Sequence, residues 1–247
     1  MTGAVAGLLA GLVLFAPAAW LANAVWRATS GQVVLSEARG TVWTGSARLV
    51  LTGGEGSADT SALPGRVGWR LRPAFTGIRT ELDAACCSKQ PLVAHISPRW
   101  GGVRVAFDDL QSQWPAVVLA GLGTPWNTLQ VEGDLLLGTQ GLSVEWIEGR
   151  LAVAGRAELT AQRISSRLST LRPMGSYRII LSGGTPPAVQ LDTLEGSLQL
   201  AGSGTWIGSR LRFSGTASAA PDREAALSNL LNIIGRRSGA QSIITIG

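Results

Sequence analysis

The sequence predicts a mainly β protein behind one apolar amino-terminal segment, and three observations predict it. Apolar residues run almost unbroken from Gly3 to Val25, the pattern then changes to alternation with period two, and 32 glycines are scattered, mostly singly, between short apolar stretches. Alternation puts one set of side chains on a buried face and the other toward water, as in a half-covered strand. Glycine scattered in this way, with no third-residue repeat and no low-complexity run, implies many turns. With 247 residues and 45% hydrophobic content, the chain has ample material for a buried core.

The segment Gly3 to Val25 carries no ionisable side chain and reaches the roughly 20 apolar residues that a helix needs to cross a bilayer core. Trp20 and Trp26 fall near its carboxyl end, where indole rings favour the head-group layer, and Arg27 closes the stretch. Pro17 should kink such a helix by removing a backbone donor. The organisation expected is therefore a transmembrane anchor over residues 1–27 and a β-rich domain over residues 28–247. A cleaved secretory signal is the alternative, because Ala22-Asn23-Ala24 resembles a signal-peptidase site and no Lys or Arg precedes the segment. The apolar stretch is longer than a signal core and lacks its charged leader, which favours retention, and both readings export the remainder of the chain.

Alternating stretches include Ala47 to Leu51, Gly102 to Phe107 and Ser197 to Gly202, with Gly53-Gly54, Gly101-Gly102, Gly183-Gly184 and Pro186-Pro187 as turn candidates between strands. No helical run of ten to fifteen residues separates most of these strands, so antiparallel meanders are expected rather than a parallel sheet. The chain also repeats itself: Trp146 to Ala157 aligns without a gap on Trp206 to Ala217, with Trp, Ile, Arg, Leu, Gly and Ala in place. Similar stretches, Val131 to Leu137 and Leu194 to Leu200, precede the two copies, and Trp43 to Leu51 is a looser relative. Repeated hairpins that each need a neighbour to cover an apolar face predict an elongated, twisted antiparallel sheet. The tryptophans of these units read as hydrophobic pins. One carboxyl-terminal amphipathic helix is expected, capped by Asp222, with Leu227, Leu230, Leu231 and Ile234 on one stripe and Gly235 as its stop. Arg236 and Arg237 would suit its carboxyl end, and Ser242 to Ile246 reads as a terminal strand.

The residues that carry chemistry are sparse. His95 is the single histidine, and no G-x-S-x-G elbow accompanies it. One histidine and two adjacent cysteines cannot supply the spaced ligands of a zinc site. Glycine-rich stretches lead into strands rather than helix amino termini, unlike phosphate loops. Asp108-Asp109 reads as a turn, since neighbours on a strand point to opposite faces. No enzyme, catalytic residue, metal or cofactor is expected on these grounds. Cys86 and Cys87 could form a vicinal disulfide, pair with other chains or stay reduced, and the sequence leaves the three open. The basic residues are almost all arginines, with Lys89 the single lysine, and they are spread along the chain. That spread disfavours nucleic acid and is compatible with anionic lipid head groups or an acidic partner surface.

Gly40-Thr41-Val42-Trp43-Thr44-Gly45-Ser46-Ala47, shortly after the apolar segment, resembles the G-T-[LV]-W-x-G-x-A signature near the start of protein N of the bacterial type II secretion system. Trp69 to Pro73, Pro173 to Arg178, Gly196 to Trp206 and Leu230-Leu231 with Gly235-Arg236-Arg237 occur in that family's order, so the resemblance covers nearly the whole chain. It implies a single-pass inner-membrane accessory subunit with a periplasmic β-domain, serving a machine that exports folded proteins, and it carries over no functional residue. Exposed sheet edges and arginine-bearing faces would then dock other subunits, the secretin or the inner-membrane platform. The alternative function is a groove-type lipid-binding or lipid-transfer envelope protein, which an apolar sheet face left uncovered by helix would favour.

Overall fold

A computed structural model describes Gly7, residues 11–208 and residues 210–247. Its sixteen strands form one sheet in which the path runs almost in chain order. They are β1 (Val33–Gly40), β2 (Thr44–Thr52), β3 (Thr60–Ala62), β4 (Val67–Ala74), β5 (Gly77–Ala84), β6 (Leu92–Arg99), β7 (Gly102–Phe107) and β8 (Leu110–Pro115), then β9 (Glu132–Ile147), β10 (Arg150–Ser165), β11 (Gly175–Gly184), β12 (Ala188–Gly196), β13 (Leu198–Ile207), β14 (Arg210–Ala219), β15 (Arg236–Ser238) and β16 (Gln241–Ile246). Besides the helical residues 11–14 and a 3-10 helix, the α-helices among the described residues are α1 (Ala18–Ala28), α2 (Trp126–Leu129) and α3 (Glu224–Ile234). The order is β1-β2-β4-β5-β6-β7-β9-β10-β11-β12-β13-β14-β16-β15, with β3 added to β2 and β8 to β9. Neighbours pair antiparallel, and the path ends at β1 and β15 without closing. The expected meander of hairpins is thus the architecture found.

The internal repeat is a repeated hairpin. Trp146 faces Leu151 across the β9–β10 turn, and Trp206 faces Leu211 across the β13–β14 turn. The stretches before the two copies differ, however. Val131 to Leu137 runs into β9 itself, whereas Leu194 to Leu200 straddles the turn between β12 and β13. Gly183-Gly184 ends β11 rather than turning it, and the turn after it contains Pro186.

The amino-terminal segment departs from the expectation of one spanning helix. Residues 3–6 and 8–10 of that segment lie outside the described residues. Beyond them, residues 11–14 are helical and the chain turns at Phe15, while Pro17 makes an isolated bridge to Thr41 and α1 restarts at Ala18. At 1.5 Å per residue, the 11 residues of α1 extend about 16 Å, near half of a bilayer core of about 30 Å. No helix among the described residues is long and apolar enough to cross a membrane. The interruption has a physical cause: Ala16 gives its carbonyl to the Val42 N–H at 2.8 Å, and Ala18 is buried against Ala47 and Trp69. Part of the apolar run is therefore spent on the sheet.

The motifs that carry the resemblance form sockets. The Trp69 indole N–H donates to the carbonyls of Thr41 and Val42 at 3.2 and 3.1 Å. A Cβ on Gly45 would stand 2.5 Å from the Trp69 ring, so the Thr-Gly-Ser turn side admits only glycine there. A second socket joins Met174, whose carbonyl accepts from the N–H groups of Ser197 and Leu198, to Tyr177, whose hydroxyl donates to the Leu198 carbonyl at 3.2 Å.

The main core lies where α3 covers one end of the sheet face. Leu227, Leu230 and Leu231 are buried against Tyr177, Leu198 and Ala217. The Ser242 hydroxyl donates to the Leu231 carbonyl, fixing the helix to β16. Asp222 is not the cap: it has φ 63° and precedes Arg223, which holds the cap position without a side-chain hydrogen bond. Arg236 and Arg237 belong to the three-residue edge strand β15 rather than to the helix end. The apolar run Ala116–Leu122 forms a 3-10 helix that the periodicity does not announce.

Burial pushes the Tyr177 phenol upward. The neutral form is favoured in the fold, while the unfolded chain ionises near pH 10, so the contribution is complete below about pH 10 and is lost as pH rises beyond it. Tyr177 is the single tyrosine, so its absorbance change should coincide with alkaline unfolding. Denaturation at about pH 8 and 11 should show a steeper loss for the parent than for Tyr177→Phe, and equal losses would refute the assignment.

Candidate docking surfaces

Residues opposite each other across an antiparallel ladder share a face, so the pairing register sorts the side chains. One row reads Pro73, Ile78, Ile96, Val105, Val144 and Val153 across β4, β5, β6, β7, β9 and β10. A second reads Leu137, Leu159, Ile179, Leu191, Gly202, Gly215 and Ile244 across β9 to β14 and β16. Ile78, Ile96, Val105, Leu137, Ile179 and Leu191 are half-buried. The helix α3 and the 3-10 helix cover the end of this face around Leu135, Tyr177 and Ala217, and α1 covers Ala47 and Trp69. The sheet therefore has an apolar face whose middle rows are less sheltered than its ends.

The opposite face is charged. Arg70 pairs across from Glu81, Arg72 from Arg79, Arg79 from His95, and Arg104 from Glu145. Arg79 approaches Glu81 at 3.4 Å and Arg104 approaches Glu145 at 3.5 Å. Half-exposed pairs of this kind contribute about 0–1 kcal/mol each, so their value lies in steering and recognition. The spread of arginines along the sequence becomes one lateral face because strand alternation sends them to the same side.

Both open edges are blunted. The terminal strand β1 pairs with β2 through Val33 to Ser36, then bulges before Arg39. Glu37 sits in the bulge at φ 50° and faces Arg48 at 3.4 Å and Arg66 at 3.5 Å. A bulge with a charge limits strand addition to the regular half of β1. At the other end, β15 is three exposed residues, two of them arginine.

The remaining sequence candidates fall apart from one another. The Cys86 and Cys87 sulfurs are 2.12 Å apart, joined as a vicinal disulfide. Cys87 is buried with Leu63, Ala84 and Val118, and its carbonyl accepts from the Gln113 N–H at 2.8 Å. The pair borders a cleft of about 770 Å³ that also takes in Gln111, Gln113, Arg156 and Glu158. His95 stands exposed with Nε2 3.1 Å from Asp108 Oδ1, and Asp109 accepts from the Gly141 N–H at 2.7 Å, which ties the Asp108-Asp109 turn to β9. Asp134 receives hydrogen bonds from Gln113 and Arg163, which hold its carboxyl below the usual range. The sequence reading missed this cluster, since only the pairing of β8 with β9 and of β9 with β10 brings the three together.

Residues 31–244 match the family model for type II secretion system protein N. The chain belongs to that family. The match takes in the sheet from just before β1 into β16, and membership makes the chain a component of type II secretion. Comparison with curated proteins finds no match, and neither does comparison with solved structures. The protein N motifs account for the Trp69 and Tyr177 sockets, so they specify the sheet and assign no reactive side chain.

Proposed function

We propose that this protein N is an accessory subunit held at the inner membrane by its apolar amino-terminal segment, with the sheet in the periplasm docking other subunits of the secretion machinery. In this reading the chain does no chemistry of its own. The observation that carries it is the family match over residues 31–244, preceded by an apolar run without an ionisable group from Gly3 to Val25. The arginine face around Arg70, Arg72, Arg79 and Arg104 suits an acidic partner surface, and Val33 to Ser36 offers a short stretch for strand addition. The α1 contact with the sheet takes Ala18 out of reach of lipid, and Leu12 to Phe15, Trp20 and Trp26 are the large apolar side chains it leaves exposed among the described residues of the amino-terminal segment.

Pull-down of the full chain from detergent-solubilised membranes tests this. Recovery of the secretin or a platform subunit above a tag control is the expected result. Recovery of neither overturns the docking role. Loss of the protein from the membrane fraction on deleting residues 1–15 tests the anchor separately.

A second reading is favoured by one observation, the two apolar rows across the sheet, which could lie against acyl chains. Solvent extraction of the purified chain followed by mass spectrometry separates the two. Recovered phospholipid favours the groove, and its absence favours the docking module.

A further inference from the structure

In an antiparallel meander, alternate turns return to the same edge of the sheet. The β1–β2 turn at Thr41 to Trp43, the β4–β5 turn at Phe75 and the β6–β7 turn at Trp100 share one edge, as the registers Thr44 with Arg70, Ile78 with Ile96 and Arg99 with Gly102 require. Measured across the strands, each tip is two strand spacings, about 10 Å, from the next. At two of these tips the side chain stands clear of the fold, Phe75 at 110% and Trp100 at 97% relative exposure. Such residues contribute nothing to the core, and a turn of Gly101 or Gly77 has no steric need for an aromatic neighbour. At the third, the Trp43 indole N–H donates to the Val13 carbonyl at 2.7 Å and the Val42 N–H to the Ala16 carbonyl. The apolar segment is thus stitched to this same edge, and Leu12, Val13, Leu14 and Phe15 there are 50% to 76% exposed. Arg72 and Arg99, both exposed, flank the aromatic tips. Two acids border them: Glu145 lies 4.0 Å from the Arg99 guanidinium, and the Glu148 N–H donates to the Gly101 carbonyl at 3.2 Å.

We propose that this turn edge rests in the head-group layer of an anionic bilayer, with Phe75 and Trp100 as interfacial anchors beside the amino-terminal segment. Aromatic rings at an apolar–polar boundary favour that layer, and the two arginines complement its negative surface potential. The sheet is then held against the membrane at several points rather than hanging from one tether. The inference rests on the reading of the amino-terminal segment as an anchor, and its test keeps the two apart.

The full chain, with Cys86→Ser and Cys87→Ser to remove native thiols, is reconstituted into vesicles of phosphatidylglycerol and phosphatidylethanolamine. Single cysteines replace Val13, Phe75, Trp100 or, at the opposite edge between β8 and β9, Trp126, and each carries an environment-sensitive fluorophore. Nitroxide-bearing lipids should quench the labels at 13, 75 and 100 at least about threefold more than the label at 126. Quenching at 13 with 75 and 100 no different from 126 overturns this inference and leaves the anchor standing. Quenching at none of them, with the chain free of vesicles, removes the anchor and this inference with it.

Discussion

Leu231→Ala is expected to lower the stability of the fold by about 3–4 kcal/mol, within the range for emptying a buried leucine site that cannot collapse. Leu231 is fully buried, and it belongs to the cluster that joins α3 to Leu198, Ala217 and Tyr177. The site has little freedom to close around a cavity. Ser242, also fully buried, donates to the Leu231 carbonyl, and Ser169 donates to the Ala226 carbonyl at 3.2 Å, so the helix is fixed at two points. Urea denaturation followed by tryptophan fluorescence should show a lower midpoint with an unchanged slope. Ile233→Ala, on the same helix but 42% exposed, should stay within about 1 kcal/mol of the parent. Equal effects of the two substitutions would show that α3 does not seat its leucine stripe on the sheet.

The apolar stripe of α3 is legible in the sequence because i, i+3, i+4 and i+7 spacing is a local property, and so is the alternation of β2, β7 and β13. The repeated hairpins are legible for the same reason. Less local features are hidden. Continuous hydropathy from Gly3 to Val25 reads alike whether lipid or a sheet covers it, and only Ala47 and Trp69, far along the chain, show that Ala18 is covered by protein. Asp222 has the right residue type for a cap, but its left-handed backbone directs the chain away from that role. The candidate site is partly legible: alternation sends Arg70 and Arg72 to one face, yet no local signal says that Arg79, Arg104 and Glu145 stand beside them. The aromatic edge is hidden altogether, since Phe75 and Trp100 are turn residues whose alignment depends on strand register.

Gly155→Val is expected to cost more than about 3 kcal/mol or to prevent folding, because a strained backbone and a backbone clash act together. Gly155 has φ 77°, and a Cβ there would stand 2.2 Å from the Gly141 carbonyl oxygen, a main-chain atom that cannot swing aside. The two glycines lie where β9 and β10 change register: Ala154 pairs with Ser143, but Arg156 pairs with Gln140. The step leaves one extra residue on β9. Its consequence is visible in the sequence, where Leu135, Leu137 and Thr139 occupy odd positions while Leu142, Val144 and Trp146 occupy even ones. With the bulge, both sets meet the apolar face. Without it, a slip of one residue would turn one set toward the arginines, since the side-chain period is two. Gly149 provides the contrast: its φ is 76°, but a Cβ there meets nothing within 4 Å. Gly149→Ala should therefore cost only the left-handed strain, about 1–2 kcal/mol. Hydrogen exchange across residues 132–165 should show broad loss of protection for Gly155→Val and a change confined to the turn for Gly149→Ala. Matching protection in the two variants would mean that the close approach of Gly155 to Gly141 does not hold the β9–β10 register.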